Sequence, residues 1–184
     1  MLIDGDKIRL RPALAKDRKK VFRWLTASDI TNHLMGPPDY PDLPIPTWEE
    51  FIADYTLNFF SPAGDGRGRN FIIINGGEEI GMVGYDSLDP VAKNVVLDIW
   101  LKAEKYCGRG SASAALKTLC IHLHKVYGIT RFIISPSARN RRAVAAYRKA
   151  GFEYIRILSR SEQVREFGSS EYDDNVLMIK SIDD

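Results

Sequence analysis

The chain holds 184 residues, 45% of them hydrophobic and 27% charged, with a formal net charge of +2. That is enough for one domain, residues 1–184, with a core of its own and an ordinary globular balance. A charge so near zero, without a long Lys/Arg block, excludes an electrostatic nucleic-acid arm, and no long apolar run is present to span a membrane. The two cysteines, Cys107 and Cys120, form no disulfide framework and suit a reducing compartment. The start, Met1 to Lys7, meets acidic residues before any apolar stretch, unlike a secretion signal, so a cytoplasmic location is expected.

Ile8 to Pro12 alternates and predicts a first strand, ended by its proline. Asp17 to Thr26 reads as a helix with Val21, Phe22, Trp24 and Leu25 as its apolar stripe. Gly36 to Pro46 carries Pro37, Pro38, Pro41, Pro44 and Pro46, so it is a stiff loop, long enough to serve as a lid or substrate wall. Thr47 then reads as an N-cap for a helix to about Phe59, with Glu49 and Glu50 in its first turn. A glycine-rich turn over Ser61–Arg69 leads to strands at Asn70–Asn75, Glu79–Asp86 and Asn94–Leu101, the first two as a hairpin.

A helix from Gly110 to Tyr127 has Ala112, Ala115, Leu116, Leu119, Leu123, Val126 and Tyr127 at helical spacing, and Gly128 closes it. Arg131–Ser135 reads as a short buried strand. Asn140 is placed to cap a helix that ends at Gly151, and strands at Glu153–Leu158 and Asn175–Ile182 flank a polar loop. The order is mixed α/β (α+β), with strands mostly antiparallel and two strand–helix–strand units near the end.

Cys107-Gly-Arg-Gly-Ser-Ala112 follows a strand and opens a helix. Gly108 and Gly110 let a backbone approach closely, Arg109 adds a cation, and the helix N-terminus favours a phosphate. A strand–helix turn that simply needs positive φ fits the same residues. Further on, Asn140, Ala143, Tyr147 and Ala150 share one helix face, with small neighbours that leave Tyr147 room to meet a ligand. Packing for Tyr147 and capping for Asn140 are the plainer roles.

Together the two segments resemble the GNAT (GCN5-related N-acetyltransferase) superfamily. Its acyl-CoA loop, Gln/Arg-x-x-Gly-x-Gly/Ala, corresponds to Cys107-Gly-Arg-Gly110-Ser-Ala112, with Cys107 in place of the usual Gln or Arg. Its later pattern is matched by Asn140, Ala143, Tyr147, Lys149, Gly151 and Phe152, and the resemblance runs from Ile8 to Ile182. It implies a twisted, mostly antiparallel mixed sheet of about six or seven strands with about four helices. Its cofactor cleft would splay open between the strands at Asn94–Leu101 and Arg131–Ser135.

The resemblance also implies acetyl-CoA as co-substrate, without a metal. Leu101, Cys107, Gly108, Arg109, Gly110, Ser111 and Ala112 would line its site, with Asn140 at the pantetheine arm. Arg139, Arg141 and Arg142 would be available to the 3′-phosphate, although a solvated basic helix start explains them equally. Tyr147 would protonate the departing thiolate, chemistry that a phenol of pKa about 10 can do for a thiol of pKa about 8.5 when held close.

A base is also needed, since an ammonium has no lone pair. Asp98, inside the apolar strand Val95–Leu101, is the candidate; a carboxylate there is paired, functional or on the solvent face. Glu104, acting through water, is the alternative. His33, His122 and His124 show no metal-ligand spacing.

The acceptor is expected to be a small-molecule amine. The segments Gly5–Pro12 and Arg23–Leu25 resemble both the aminoglycoside 6′-N-acetyltransferases and the ribosomal-protein alanine N-acetyltransferases, with spermidine acetyltransferases nearby, while Arg23–Ile30 and Asn175–Met178 are slightly closer to the aminoglycoside group. Carboxylates at Asp39, Asp42, Glu49, Glu50, Glu162, Glu166, Glu171, Asp173 and Asp174 would rim the cleft and draw in a polycation. A non-catalytic acyl-CoA sensor is the reading from another class. Either a monomer or a homodimer fits.

Overall fold

A computed structural model describes residues 2–61 and 67–183. Its elements in chain order are β1 (Ile3–Asp4), β2 (Arg9–Pro12), α1 (Arg18–Thr26), α2 (Trp48–Asp54), β3 (Arg69–Asn75) and β4 (Glu78–Asp89). There follow β5 (Asn94–Leu101), α3 (Ser111–Tyr127), β6 (Arg131–Ile134), α4 (Arg141–Ala150), β7 (Glu153–Ile157), α5 (Arg160–Phe167) and β8 (Val176–Ser181). The strands form one eight-stranded sheet ordered β1-β2-β3-β4-β5-β6-β8-β7. Every neighbouring pair is antiparallel except β5 and β6.

That parallel pair is brief. β5 and β6 match only from Asn94↔Arg131 to Val96↔Ile133. Pro136 follows soon after β6 and has no N–H to continue a ladder; its carbonyl instead accepts Val176 N–H at 2.8 Å. Leu97 to Leu101 are left without a strand on that side. The sheet splays open there, where the sequence places the cleft.

Strand alternation divides the core between the two faces. On one, Phe71, Ile73, Val83, Leu97, Ile99 and Leu101 pack under α3 and α4. Leu116, Leu119 and Leu123 of α3 are fully buried there, each contributing about 1.5–3 kcal/mol. On the other face are two separate clusters. Ile72, Met82 and Trp100 meet Val21 and Leu25 of α1 and Phe51 of α2. Ile133 and Leu177 meet Leu158 and Phe167 at the two ends of α5.

Asp17, just before α1, is buried and ties the helix to the sheet. It accepts two hydrogen bonds from Arg11, at 2.7 and 2.9 Å, and Leu14 N–H at 3.0 Å, and it pairs with Lys20 at 2.9 Å.

Several predicted elements need correction. The helix from Thr47 starts as expected, with Thr47 and Glu50 in a reciprocal capping box, but it ends at Asp54, and Leu57–Phe60 is a separate 3-10 turn. The four-residue spacing of Phe51, Tyr55 and Phe59 imitates a longer helix. Their rings do form a ladder, at 4.9 and 6.0 Å, across the break. Val126 is 53% exposed and lies off the buried stripe of α3. The polar loop before β8 contains α5, capped by Ser159 with Glu162, so the described residues hold five α-helices and eight strands. The expected turn at Ser61–Arg69 falls partly on residues 62–66, outside the described residues. No helix among the described residues is long and apolar enough to cross a membrane.

Candidate active site

The loop after β5 ends in two glycines of left-handed conformation, Gly108 at φ +70° and Gly110 at φ +82°. A side chain built at either meets no protein atom within 4 Å, so the surface above the loop is open. Gly110 is the N-cap of α3 and offers no capping side chain. The first amides of α3 have no partner within the helix and point outward, as a phosphate requires. Cys107 is half-buried and its thiol reaches only Ala103 O, at 3.9 Å, so the Gln/Arg-to-Cys change leaves the backbone cradle intact.

Replacing Gly110 with Val would force a β-branched residue into the left-handed region. Stability should fall by about 1–2 kcal/mol. A thermal melt should register this as roughly 3–6 °C.

On α4, Tyr147 is 8% exposed, packs at a tilt against Phe152 and belongs to the core under α3 and α4. Burial pushes its phenol well above the usual value, and the charges of Asp98 and Glu171 add to this. Its hydroxyl makes no hydrogen bond among the described residues. Asn140 caps the helix, accepting Ala143 N–H at 3.0 Å, and donates to His33 O at 3.1 Å.

The arginines before and within this turn diverge. Arg139 is held by Asp42 at 2.6 Å, Asp174 at 3.0 Å and Asp39 O at 2.8 Å, and it stacks on Tyr40. It therefore anchors the proline-rich loop and is not free for a phosphate. Arg142 forms a forked ion pair with Glu104, one arm at 3.0 Å, which holds the Glu104 carboxyl below its usual range. Glu104 is thus a poor base. Arg141 stays exposed beside an open cavity of about 350 Å³ that residues 139–142, His33, Asp39 and Tyr40 line.

Asp98 lies on β5 between Val96 and Trp100, with all three facing the same way. Trp100 belongs to the cluster under α1 and α2, and Val96 packs on the one beside α5. Asp98 therefore floors the break between them. The Tyr55 hydroxyl, just past α2, donates to one carboxylate oxygen, and Ile99 N–H donates to the other at 2.8 Å. Burial raises the Asp98 carboxyl above its usual value and these two bonds oppose it, while the residue keeps an open side toward solvent.

Most of the predicted acidic rim is taken by protein partners: Asp42 and Asp174 by Arg139, Asp173 by Arg160, Glu162 by Arg156, and Glu50 by its own cap. The carboxylates of Asp39, Glu49, Glu166 and Glu171 have no hydrogen bond or ion pair among the described residues. Glu171, though exposed, is crowded by protein that pushes its carboxyl up to about 7, with the charges of Asp98 and then Asp54 contributing.

The sequence alone treated Glu171 as one rim residue among several. Its surroundings in the fold, set by distant residues, separate it from the rest. His122 packs against Phe71 and His124 bonds Ile129 O at 2.9 Å. No group of metal-ligating residues occurs among the described residues.

Comparison with known proteins gives concordant results. The acetyltransferase (GNAT) domain family matches residues 7–153. A ribosomal-protein-serine acetyltransferase of Escherichia coli (strain K12) is 29% identical over 118 residues, which are 64% of this chain and 63% of that protein. Among solved structures, RimL, a ribosomal L7/L12 alpha-N-protein acetyltransferase in complex with coenzyme A, superposes with a TM-score of 0.74 at 20% identity, covering 100% of this chain and 99% of that one. AAC(6′)-Ib in complex with paromomycin and acetyl-CoA gives a TM-score of 0.69 at 20% identity, covering 96% and 94%.

Proposed function

Because this chain belongs to the acetyltransferase (GNAT) domain family, we propose that it moves the acetyl group of acetyl-CoA onto a primary amine by direct attack. The acceptor is a small polycationic amine such as an aminoglycoside. One observation carries this reading: the gap between β5 and β6 joins a face with a phosphate cradle and Tyr147 to a face where Asp98 lies without a cationic partner. Two reactants that approach from opposite sides of the sheet can meet through it.

The residues on the first face fit acetyl-CoA. The open backbone of Gly108 to Ala112 would hold its pyrophosphate, with Arg109 close by and Leu101 at the adjoining strand end. Arg141 and Arg142 supply cations near the 3′-phosphate, and Asn140 borders the pantetheine arm. Bound there, the co-substrate supplies an activated acetyl thioester.

Asp98, oriented by Tyr55 and Ile99, holds the acceptor ammonium on the second face. The carboxylates there relieve it of one proton, and its freed lone pair attacks the thioester carbonyl carbon. As the carbon–sulfur bond breaks, Tyr147 gives its proton to the leaving sulfur and is reprotonated, through solvent, by the second proton that the nitrogen sheds on becoming an amide. Net, an ammonium and a thioester become an amide, a thiol and a proton.

The groups that bear on Asp98 and Glu171 are carboxylates, a phenol and a backbone amide, with no lysine or arginine. A ligand with several ammonium groups would supply the missing positive charge. The ribosomal-protein relative favours a second reading, in which an N-terminal α-amino group is the acceptor.

A thiol-release assay with acetyl-CoA against ribostamycin, spermine and short free-N-terminal peptides separates these readings. Faster release with ribostamycin than with any peptide is expected. Release with peptides alone would favour the second reading. Thermal stabilisation by acetyl-CoA without release from any amine would leave only a binding module.

A further inference from the structure

We propose that the groove between α4 and β7 receives an extended, acidic segment of a partner protein, which adds as a further strand to the free edge of β7. The groove lies apart from the acetyl-transfer site. Arg141, Val144, Ala145 and Arg148 share one side of α4. Tyr147 instead faces the core, and Ala146 lies against α3, its carbonyl accepting the Ser113 hydroxyl at 2.7 Å.

β7 ends the sheet order, so one side of it has no strand among the described residues. All five of its residues are exposed, with Tyr154, Ile155 and Ile157 at 38%, 47% and 50%. Such an edge presents unpaired N–H and C=O groups, and apolar side chains beside them invite another strand. The opposite edge, β1, is two residues long and offers much less.

The register of β7 on β8 sets which side chains a new strand would meet. Residues directly opposite in an antiparallel pair share a face. Tyr154 and Ile157 oppose Met178 and Val176, which pack on the α3 and α4 side. Glu153 and Arg156 oppose Ile179 and Leu177, on the α5 side, because the register shifts at Ile155. Arg156 is already paired there with Glu162 of α5, at 2.6 Å. The unmatched charge is on the α4 side.

A groove of about 440 Å³ opens on that side, lined by Ala138, Arg141, Val144, Ala145, Arg148 and Tyr154. Its floor is small and apolar, and no carboxylate lines it. Neither guanidinium has an ion pair or hydrogen bond among the described residues; Arg148 rests on the Tyr154 ring, 5.8 Å from its centroid. The two arginines, about 10 Å apart along the helix, make a local cationic track in a chain of net charge +2.

Charge decides the occupant. A second copy of this chain, paired edge to edge about a twofold axis, would bring its own Arg141 and Arg148 toward these, and like charges oppose that arrangement. A partner strand with carboxylates on its α4-facing side fits instead, with neutral side chains turned toward α5. Main-chain bonds to β7 would supply affinity whatever the sequence, and the arginines would select for acid.

The test measures, by fluorescence anisotropy, binding of a labelled, end-blocked heptapeptide of alternating glutamate and valine to the full chain. The wild type should bind it, and should bind the lysine–valine counterpart at least about tenfold more weakly. Arg148→Glu should weaken binding of the acidic peptide about tenfold, and added salt should act in the same direction. Arg148 is the position to change because Arg141 also borders the cavity beside Asn140. Its side chain is exposed, so the melting temperature should stay within about 2 °C of the wild type. Methylating alternate peptide nitrogens removes the donors a strand needs and should also cost about tenfold. Failure of the acidic peptide to bind, equal binding of the two peptides, or an affinity untouched by Arg148→Glu or by methylation would overturn the proposal. So would tighter binding of a short oligouridine that Arg148→Glu abolishes, which would make the groove a nucleic-acid surface. A wild-type dimer whose β7 amides resist hydrogen exchange would overturn it too, by placing a second copy there.

Discussion

Tyr147→Phe is expected to slow acetyl transfer by about a hundredfold or more, the usual range for removal of a positioned proton donor. Acetyl-CoA affinity and melting temperature should change little. The tyrosine ring packs against Phe152 and under α3, and a phenylalanine ring keeps those contacts. The hydroxyl has no hydrogen bond to lose within the described residues, so its removal leaves no orphaned partner. Because burial holds the phenol well above its ordinary value, it stays protonated across the neutral range and is always loaded as an acid. The loss should therefore be nearly constant from pH 6 to 9. Steady-state kinetics with a direct acetyl-CoA binding measurement decides it; wild-type turnover in the variant would remove Tyr147 from the chemistry.

The second large effect concerns stability. Asp17→Ala should cost about 3 kcal/mol, because it removes the carboxylate on which Arg11, Lys20 and Leu14 N–H converge and leaves those donors partly buried. Thermal unfolding should fall by roughly 6–12 °C. The folded-state carboxyl lies well below the usual 3.8 through its bonds to Arg11, Leu14 and Lys20, against a burial effect of the opposite sign.

A depressed carboxylate pKa gives stability that is present above the unfolded value and lost as pH falls through the folded one. The gap between wild type and variant should be full at pH 7 and shrink below about pH 4 as the native carboxylate takes up its proton. Denaturant titrations at pH 7, 4 and 3 check this; a gap that stays constant would mean that packing rather than charge holds the junction.

Much of this site can be read from local signals. The bounds of β5 emerged intact because Asn94–Leu101 is apolar and β-branched around a single acid. Gly108, Gly110 and Gly151 do adopt the positive φ that a cradle or a helix end needs. Asn140 caps α4 as its position suggests. The α5 helix was hidden because its turns bury little beyond Gln163, although Ser159 and Glu162 carried its start signal.

The roles of Glu104 and Arg139 were illegible for a different reason. Each depends on a partner far away in sequence: Arg142 for Glu104, and Asp42 and Asp174 for Arg139. Composition shows how many acids and bases a chain has, but pairing is a product of the folded arrangement.

The proline-rich segment between Gly36 and Pro46 is riveted to the body of the protein. Tyr40 is buried and lies under Arg139, the Asp42 carboxylate takes both Arg139 and Asp173 N–H, and Leu34 just ahead of the segment is held by Tyr172. A boundary set in advance selects by size and exacts no ordering entropy when a guest arrives. Acceptors too wide for this aperture would then be turned away on entry rather than after capture, so discrimination among amines should be felt in association rates more than in residence times.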